Sequence, residues 1–344
     1  MSLIPVIGSN LFVIEPVSTM LGVFCSTCCL FKLVAVVGAL LAIAKLYIKL
    51  TTGWCRSQTC LVGKTAIVTG ANTGIGYETA LDFAKRGATV ILACRNQTRA
   101  EAAAEKIILE TGNKNVIVKI IDMEDLDSVR AFAKDINATF NKLDILVNNA
   151  GAGLLEDERI GPNKLQKTIL INHYGPFLLT NLLLNLLKKS GPSRIVNVAS
   201  MAAKRAKLDL DDLNAYPGNA VYGNSKLMNI LFTIELANKL NGTEVTTYSL
   251  HPGIIETEFF RNLKGWYKVP VQLIISNFFK NATEGAQTTI YCSVQRGIEK
   301  LSGEHFEDCH LVQRYATAQD PSAPKRLWEK SEEMVGLTAE EKQY

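Results

Sequence analysis

The apolar positions of this chain follow two different patterns. From Leu33 to Ala44 ("LVAVVGALLAIA") no polar residue interrupts the run, and between Glu15 and Lys45 the one charge is Lys32. Beyond Lys64 the apolar residues come in short β-branched bursts separated by stretches of helical period. Bursts of that kind, ending in glycine or a polar residue, predict strands buried on both faces.

The second pattern predicts strands at Lys64–Gly70, Thr89–Ala93, Asn115–Ile121, Leu143–Val147, Arg194–Val198 and Glu244–Ser249. Helices are expected at about Gly74–Arg86, Arg99–Glu110, Leu126–Asn141 and, after an irregular stretch beyond Ser302, Pro324–Met334. Regular alternation of strand and helix predicts a doubly wound α/β fold, a parallel sheet between two helical layers. The expected division is an apolar anchor and basic linker over 1–60, the α/β domain over 61–320, and a helical tail over 321–344.

The first pattern predicts contact with a bilayer. Twelve apolar residues are short of the roughly 20 that cross the hydrocarbon core. A span of Leu21–Lys45 is long enough if Lys32 snorkels. A monotopic hairpin or interfacial helix with Lys32 near the headgroups fits as well. Lys45, Lys49, Arg56 and Lys64 follow the run, whereas Glu15 and the amino terminus precede it. The positive-inside rule then places the α/β domain in the cytosol. Four Asn-x-Thr sequons, at Asn96, Asn137, Asn241 and Asn281, would be acceptors in a lumen and so point the other way.

Composition narrows the chemistry. A net charge of +4 over 344 residues, without a basic block, argues against nucleic acid as a partner. The eight cysteines have neither zinc-site nor disulfide-framework spacing, and no metal is expected.

Two local signals carry candidate function. "TGANTGIG" (Thr69–Gly76) lies between the first strand and the first helix. Gly70, Gly74 and Gly76 permit a tight turn, and the helix N-terminus behind them offers unpaired N–H groups to a pyrophosphate. A plain turn needing positive φ would also use glycine. The second strand ends "ILACRNQ", with Arg95 where an acid would bind the ribose of NAD; an arginine there favours NADP(H). Asp122, ending the third strand, is placed for the adenine edge or for capping the next helix.

The other signal is "VYGNSKLMNIL" (Val221–Leu231), which puts Tyr222 and Lys226 on one helix face. An ammonium beside a phenol lowers the phenol's pKa and makes it a usable general acid/base. Ser200 closes the strand "RIVNVAS", and Asn172 in "LINHYGPF" sits inside a helix, where asparagine is a poor former.

Together "TGANTGIG", "NNAG" (Asn148–Gly151), Asn172, Ser200, "YGNSK" (Tyr222–Lys226) and "HPG" (His251–Gly253) resemble the classical short-chain dehydrogenase/reductase superfamily, over about Leu61 to Tyr315. Longer stretches such as "GANTGIGYETALDFAKRGATVILACRN" are similar to its membrane-bound, NADP-preferring retinol dehydrogenase branch. The resemblance implies a Rossmann-type domain with Tyr222 moving the proton and Lys226 tuning Tyr222 and binding the nicotinamide ribose. It implies that Ser200 orients the carbonyl and Asn172 supports a proton relay. The implied cofactor contacts are Gly70, Asn72, Thr73, Gly74, Ile75 and Gly76, with Arg95, Asp122, Asn149, Ala150, Gly151, Pro252, Gly253 and Thr257.

It also implies a retinoid-like lipophilic substrate, an endoplasmic reticulum membrane and a homodimer. A steroid or lipid-aldehyde reductase, or a silent cofactor-binding scaffold, are the alternatives. Ala152-Gly153 and the long apolar N-terminus depart from the family's pattern, and the aromatic segment Phe259–Lys280 suits a lipid ligand or a bilayer, or equally an ordinary amphipathic helix packed on the core.

Overall fold

The computed structural model describes residues 32, 35, 36, 38–43, 45–153, 156–218, 220–255 and 279–344. Two compact units divide at Thr51/Thr52. In the first, the described residues up to Thr51 are helical. Among the described residues no helix is long and apolar enough to cross a membrane. Most of the candidate span Leu21–Lys45 lies outside them, as do Thr257 and all of Phe259–Lys280 except its last two residues.

The second unit is built on strands β1 (Thr65–Thr69), β2 (Thr89–Cys94), β3 (Val116–Ile120), β4 (Ile145–Asn148), β5 (Ser193–Val198), β6 (Val245–His251), β7 (His305–Glu307) and β8 (His310–Val312). They form one sheet in the order β8-β7-β6-β5-β4-β1-β2-β3, parallel except for the β7/β8 pair. The chain leaves β1 toward β2 and β3, then crosses back to place β4 on the other side of β1. That reversal opens a crevice beyond the carboxyl ends of β1 and β4, where such sheets bind ligands.

The helices are α1 (Gly74–Lys85), α2 (Gln97–Thr111), α3 (Leu126–Thr139), α4 (Gly175–Ser190), α5 (Ala220–Lys239), α6 (Ala282–Val294) and α7 (Ala323–Val335). Side chains alternate across the sheet with period two. Ala66, Val68, Val90 and Leu92 face a core shared with α1, α2 and α6. Ile67, Ile91, Leu146 and Ile195 face a second core with α3, α4, α5 and α7.

The stretch beyond Ser302, read from the sequence as irregular before its helix, in fact extends the sheet through β7 and β8. Three residues per strand are too few to show a period. The helix that follows buries Trp328 between Phe177 of α4 and Phe232 of α5, with ring centroids 4.9 and 5.6 Å away.

Candidate active site

The glycine turn is shaped by backbone contacts. Gly70 and Gly74 have φ of +67° and +60°, values that favour glycine. A Cβ on Gly76 would stand 2.4 Å from the Gly70 carbonyl oxygen and 2.5 Å from Asn149 Nδ2, so α1 can start this close to β1 only with glycine there. Gly74 differs, for nothing lies within 4 Å of its missing side chain. No side chain caps α1, and its first turn carries no acid. The turn runs through Asn72 and Thr73 into a helix start where the first N–H groups, those of Gly74, Ile75 and Gly76, and the positive end of the helix dipole face open space beside Gly74, as a dinucleotide's diphosphate requires.

Residues from β1, β2 and β4 hold this turn in place. Asn149 Nδ2 donates to Thr69 O at 2.8 Å, and Thr69 Oγ1 accepts from the Asn149 and Ala150 amides at 2.9 Å. Beneath it, the buried Cys94 sulfur accepts from the Ala71 and Asn72 amides, while burial pushes the thiol's pKa up. Thr69 opens the "TGANTGIG" stretch and Cys94 lies in "ILACRNQ", yet neither reads as a support from the sequence.

Asn172 lies in a π-helical turn, Leu170–Tyr174. Pro176 supplies the cause: it has no N–H for the Asn172 carbonyl, and its ring presses on that carbonyl. The helix responds with a wider turn in which the Gly175 amide donates to Leu170 O. The Asn172 side chain then bridges three elements. Its Oδ1 accepts from the Ala152 amide at 2.7 Å, and its Nδ2 donates to Ala152 O and to Ser225 Oγ, both at 2.9 Å. Neither Pro176 nor Ser225 stood out in the sequence, although the proline was readable as a helix disruptor.

Tyr222, Ser200 and Lys226 complete the group. Lys226, 4% exposed, donates to Val198 O at 3.0 Å, and its Nζ sits 5.7 Å from the centre of the Tyr222 ring. A Cβ on Gly151 would come within 3.2 Å of both Lys226 Nζ and Asn172 Oδ1. The strand-end glycine, the asparagine and the lysine therefore converge on one spot. Ser200 opens the short helix Met201–Arg205, accepts from the Ala202 amide at 3.2 Å, and hydrogen-bonds the Tyr222 phenol.

Electrostatics here differ from the expectation that Lys226 pulls the phenol's pKa down. Burial dominates and raises the Tyr222 pKa, with the Ser200 hydrogen bond lowering it in part. Burial also pushes Lys226 down, to about 8. Desolvation disfavours whichever form is charged, phenolate or ammonium.

The outer residues divide. Arg95, 64% exposed, pairs with Glu124. Asp122 Oδ1 accepts the Glu124 amide at 3.0 Å, bracing the turn after β3, while Asp125 caps α3. Pro252 is buried, and Gly253, at φ +96°, packs against the Lys280 side chain. Thr257 lies outside the described residues.

This strand-end crevice, with a glycine turn on one side and a Tyr–Lys–Ser–Asn group on the other, defines a dinucleotide-dependent oxidoreductase class. Residues 64–268 match the family described as short chain dehydrogenase. The chain is 43% identical to human retinol dehydrogenase 11 over 293 residues, 84% of this chain and 91% of that protein. It is 45% identical to bovine dehydrogenase/reductase SDR family member 13 over 290 residues, 82% and 76% of the two chains. A solved structure from Mycobacterium paratuberculosis superposes with a TM-score of 0.65 at 31% identity, over 83% of this chain and 98% of that one. A short chain dehydrogenase from Escherichia coli CFT073 complexed with NADPH gives 0.58 at 25% identity, over 73% and 99%. The chain belongs to the short-chain dehydrogenase/reductase family and, with retinol dehydrogenases among its relatives, is an oxidoreductase of the alcohol dehydrogenase type.

Proposed function

We propose that this chain is a membrane-anchored, NADP(H)-dependent oxidoreductase that interconverts a lipophilic alcohol and its carbonyl, with a retinoid-like substrate. The observation that carries this reading is the convergence of Asn172, Lys226 and Gly151 beside a Ser200-bonded Tyr222 phenol. The nicotinamide cofactor, when bound, supplies the hydride.

The chain's own residues do the rest. Ser200 and Tyr222 donate hydrogen bonds toward a carbonyl oxygen, and Tyr222 passes its proton there as the alcohol forms. A phenol whose pKa is raised by burial is fully protonated at neutral pH, the state that reduction needs. Lys226 supplies positive charge behind it, and Asn172 holds the Gly151–Ala152 backbone in register. The turn residues Gly70, Asn72, Thr73, Gly74, Ile75 and Gly76, together with Asn149, Ala150, Gly151, Pro252, Gly253 and Thr257, are proposed to line the cofactor, with Asp122 toward its adenine and Arg95 on a 2′-phosphate.

The retinoid-like substrate is supported by the names of the relatives, retinol dehydrogenases 11, 12 and 14. The anchor is proposed for residues 1–60, the catalytic domain for 61–320 and a helical tail for 321–344. The lysines after the apolar run support a cytosolic orientation on the endoplasmic reticulum. A homodimer belongs to the same proposal and would form outside the patch of α4 and α5 that Trp328 occupies.

The test uses membranes carrying the full chain, given all-trans-retinal or decanal with NADPH or NADH. Faster retinal reduction with NADPH is expected. Equal rates with both cofactors would remove the NADP assignment, and no turnover of either aldehyde would remove the lipid-carbonyl assignment.

A further inference from the structure

β2 and β3 run side by side to a shared end, where Cys94 pairs with Ile120 and the Ile121 amide donates to Cys94 O at 3.1 Å. The residues just beyond each strand are therefore neighbours. Arg95 follows β2, and Glu124 lies in the turn that follows β3. Asp122 fixes that turn by accepting the Glu124 amide at 3.0 Å.

Glu124 ties up the guanidinium. Its Oε1 takes Arg95 Nη1, while its Oε2 lies 3.3 Å from Lys167 Nζ, which itself contacts Glu158 at 2.9 Å. Glu124 is 21% exposed against 64% for Arg95, so the carboxylate is the seated partner and the guanidinium the one able to turn away. A phosphate on the 2′-position of the cofactor ribose would need this same guanidinium.

We propose that Glu124 is a specificity-determining residue that competes with the 2′-phosphate of the cofactor for Arg95, and so narrows the chain's preference for NADP(H) over NAD(H). The proposal rests on the NADP(H) reading above. NAD(H) leaves the Arg95–Glu124 pair intact. NADP(H) must break the pair and leave the Glu124 carboxylate to Lys167, which neutralises it. A phosphate, with greater charge and three acceptor oxygens, still wins the arginine, but by a reduced margin.

The experiment titrates the detergent-solubilised full chain calorimetrically with adenosine 2′,5′-bisphosphate and, as the reference lacking the 2′-phosphate, adenosine 5′-monophosphate. Glu124→Gln is expected to bind the bisphosphate roughly two- to fivefold tighter, the scale of an exposed ion pair, and the monophosphate as before. In an Arg95→Ala background the same substitution is expected to change nothing, since the competition runs through Arg95. An unchanged or weaker bisphosphate affinity in Glu124→Gln, an equal gain for both nucleotides, or a gain that persists without Arg95 would each overturn the proposal. If Arg95→Ala alone keeps the parent's preference for the bisphosphate, the NADP(H) reading falls and the competition with it. If Arg95→Ala loses that preference while Glu124→Gln shows no gain, only the competition falls.

Discussion

At the end of β1 the site is made of backbone. Gly70 packs on Ala150 and Asn149, while Gly74 and the uncapped start of α1 have no side chain over them. At the ends of β4 and β5 it is made of side chains. Asn172, Ser225 and Lys226 are each under a tenth exposed, Asn172 bonding Ala152 and Ser225, and Lys226 bonding Val198 O. One region offers a shape and a dipole, and both depend on glycines that let the turn close. The other works by placing charge in a dry place, where each group depends on its neighbours' desolvation.

The largest expected effect breaks the second region alone. Tyr222→Phe keeps the ring and removes the proton, so turnover should fall roughly 10²- to 10⁴-fold while NADPH binding is preserved. Steady-state rates and a parallel binding titration check this. If turnover survives, another group moves the proton.

Acid should act on the side-chain region next. Burial lowers His173, beside Asn172, and His251, beside Pro252, to about 4, and His305 likewise. Between about pH 6.5 and 4 the unfolded chain binds protons that the folded chain refuses, so stability is full above 6.5 and falls as pH drops through that window. Each histidine can account for up to about 3 kcal/mol. Thermal unfolding followed from pH 7 to 4 should show the midpoint dropping, and a flat midpoint would contradict the burial.

Asn172→Ala strips the Ala152 amide and carbonyl of their partners. It should cost about 1–3 kcal/mol in denaturant unfolding and lower turnover more than cofactor affinity.

The glycine turn sharpens the contrast from its own side. Gly76→Ala meets backbone and should cost about 1–3 kcal/mol together with much of the dinucleotide affinity. Gly74→Ala meets nothing but carries positive φ, and should cost only about 1 kcal/mol. Unfolding midpoints and NADPH titration of the pair separate steric closure from backbone strain.

Strands β1 to β6 were readable as short β-branched runs, and all of them except the edge strand β3 are largely buried on both faces. The β7/β8 pair was not, since each strand has three residues. The Tyr222–Lys226 spacing was readable as helix geometry, but its electrostatics were not. The expected downward pull of an ammonium on a phenol gave way to desolvation, which depends on packing contributed by β5, the Met201–Arg205 turn and α5. Ser225, Cys94 and Thr69 lie inside readable motifs or stretches, but their supporting roles arise only when distant segments meet them. The Arg95–Glu124 pair is of the same kind, two residues joined because β2 and β3 end together.

What the chain's one-dimensional order determined, then, is every feature carried by near neighbours: the strand–turn–helix with glycines at Gly70, Gly74 and Gly76, the Tyr-x3-Lys face, and the apolar run before Lys45. Such features depend on backbone dihedrals and helical period, which act over a few residues. Three-dimensional packing alone decided which groups are charged, which amides are claimed and which cation faces which anion. Those outcomes follow from water exclusion and from distances between segments far apart in the chain, and no local pattern encodes them.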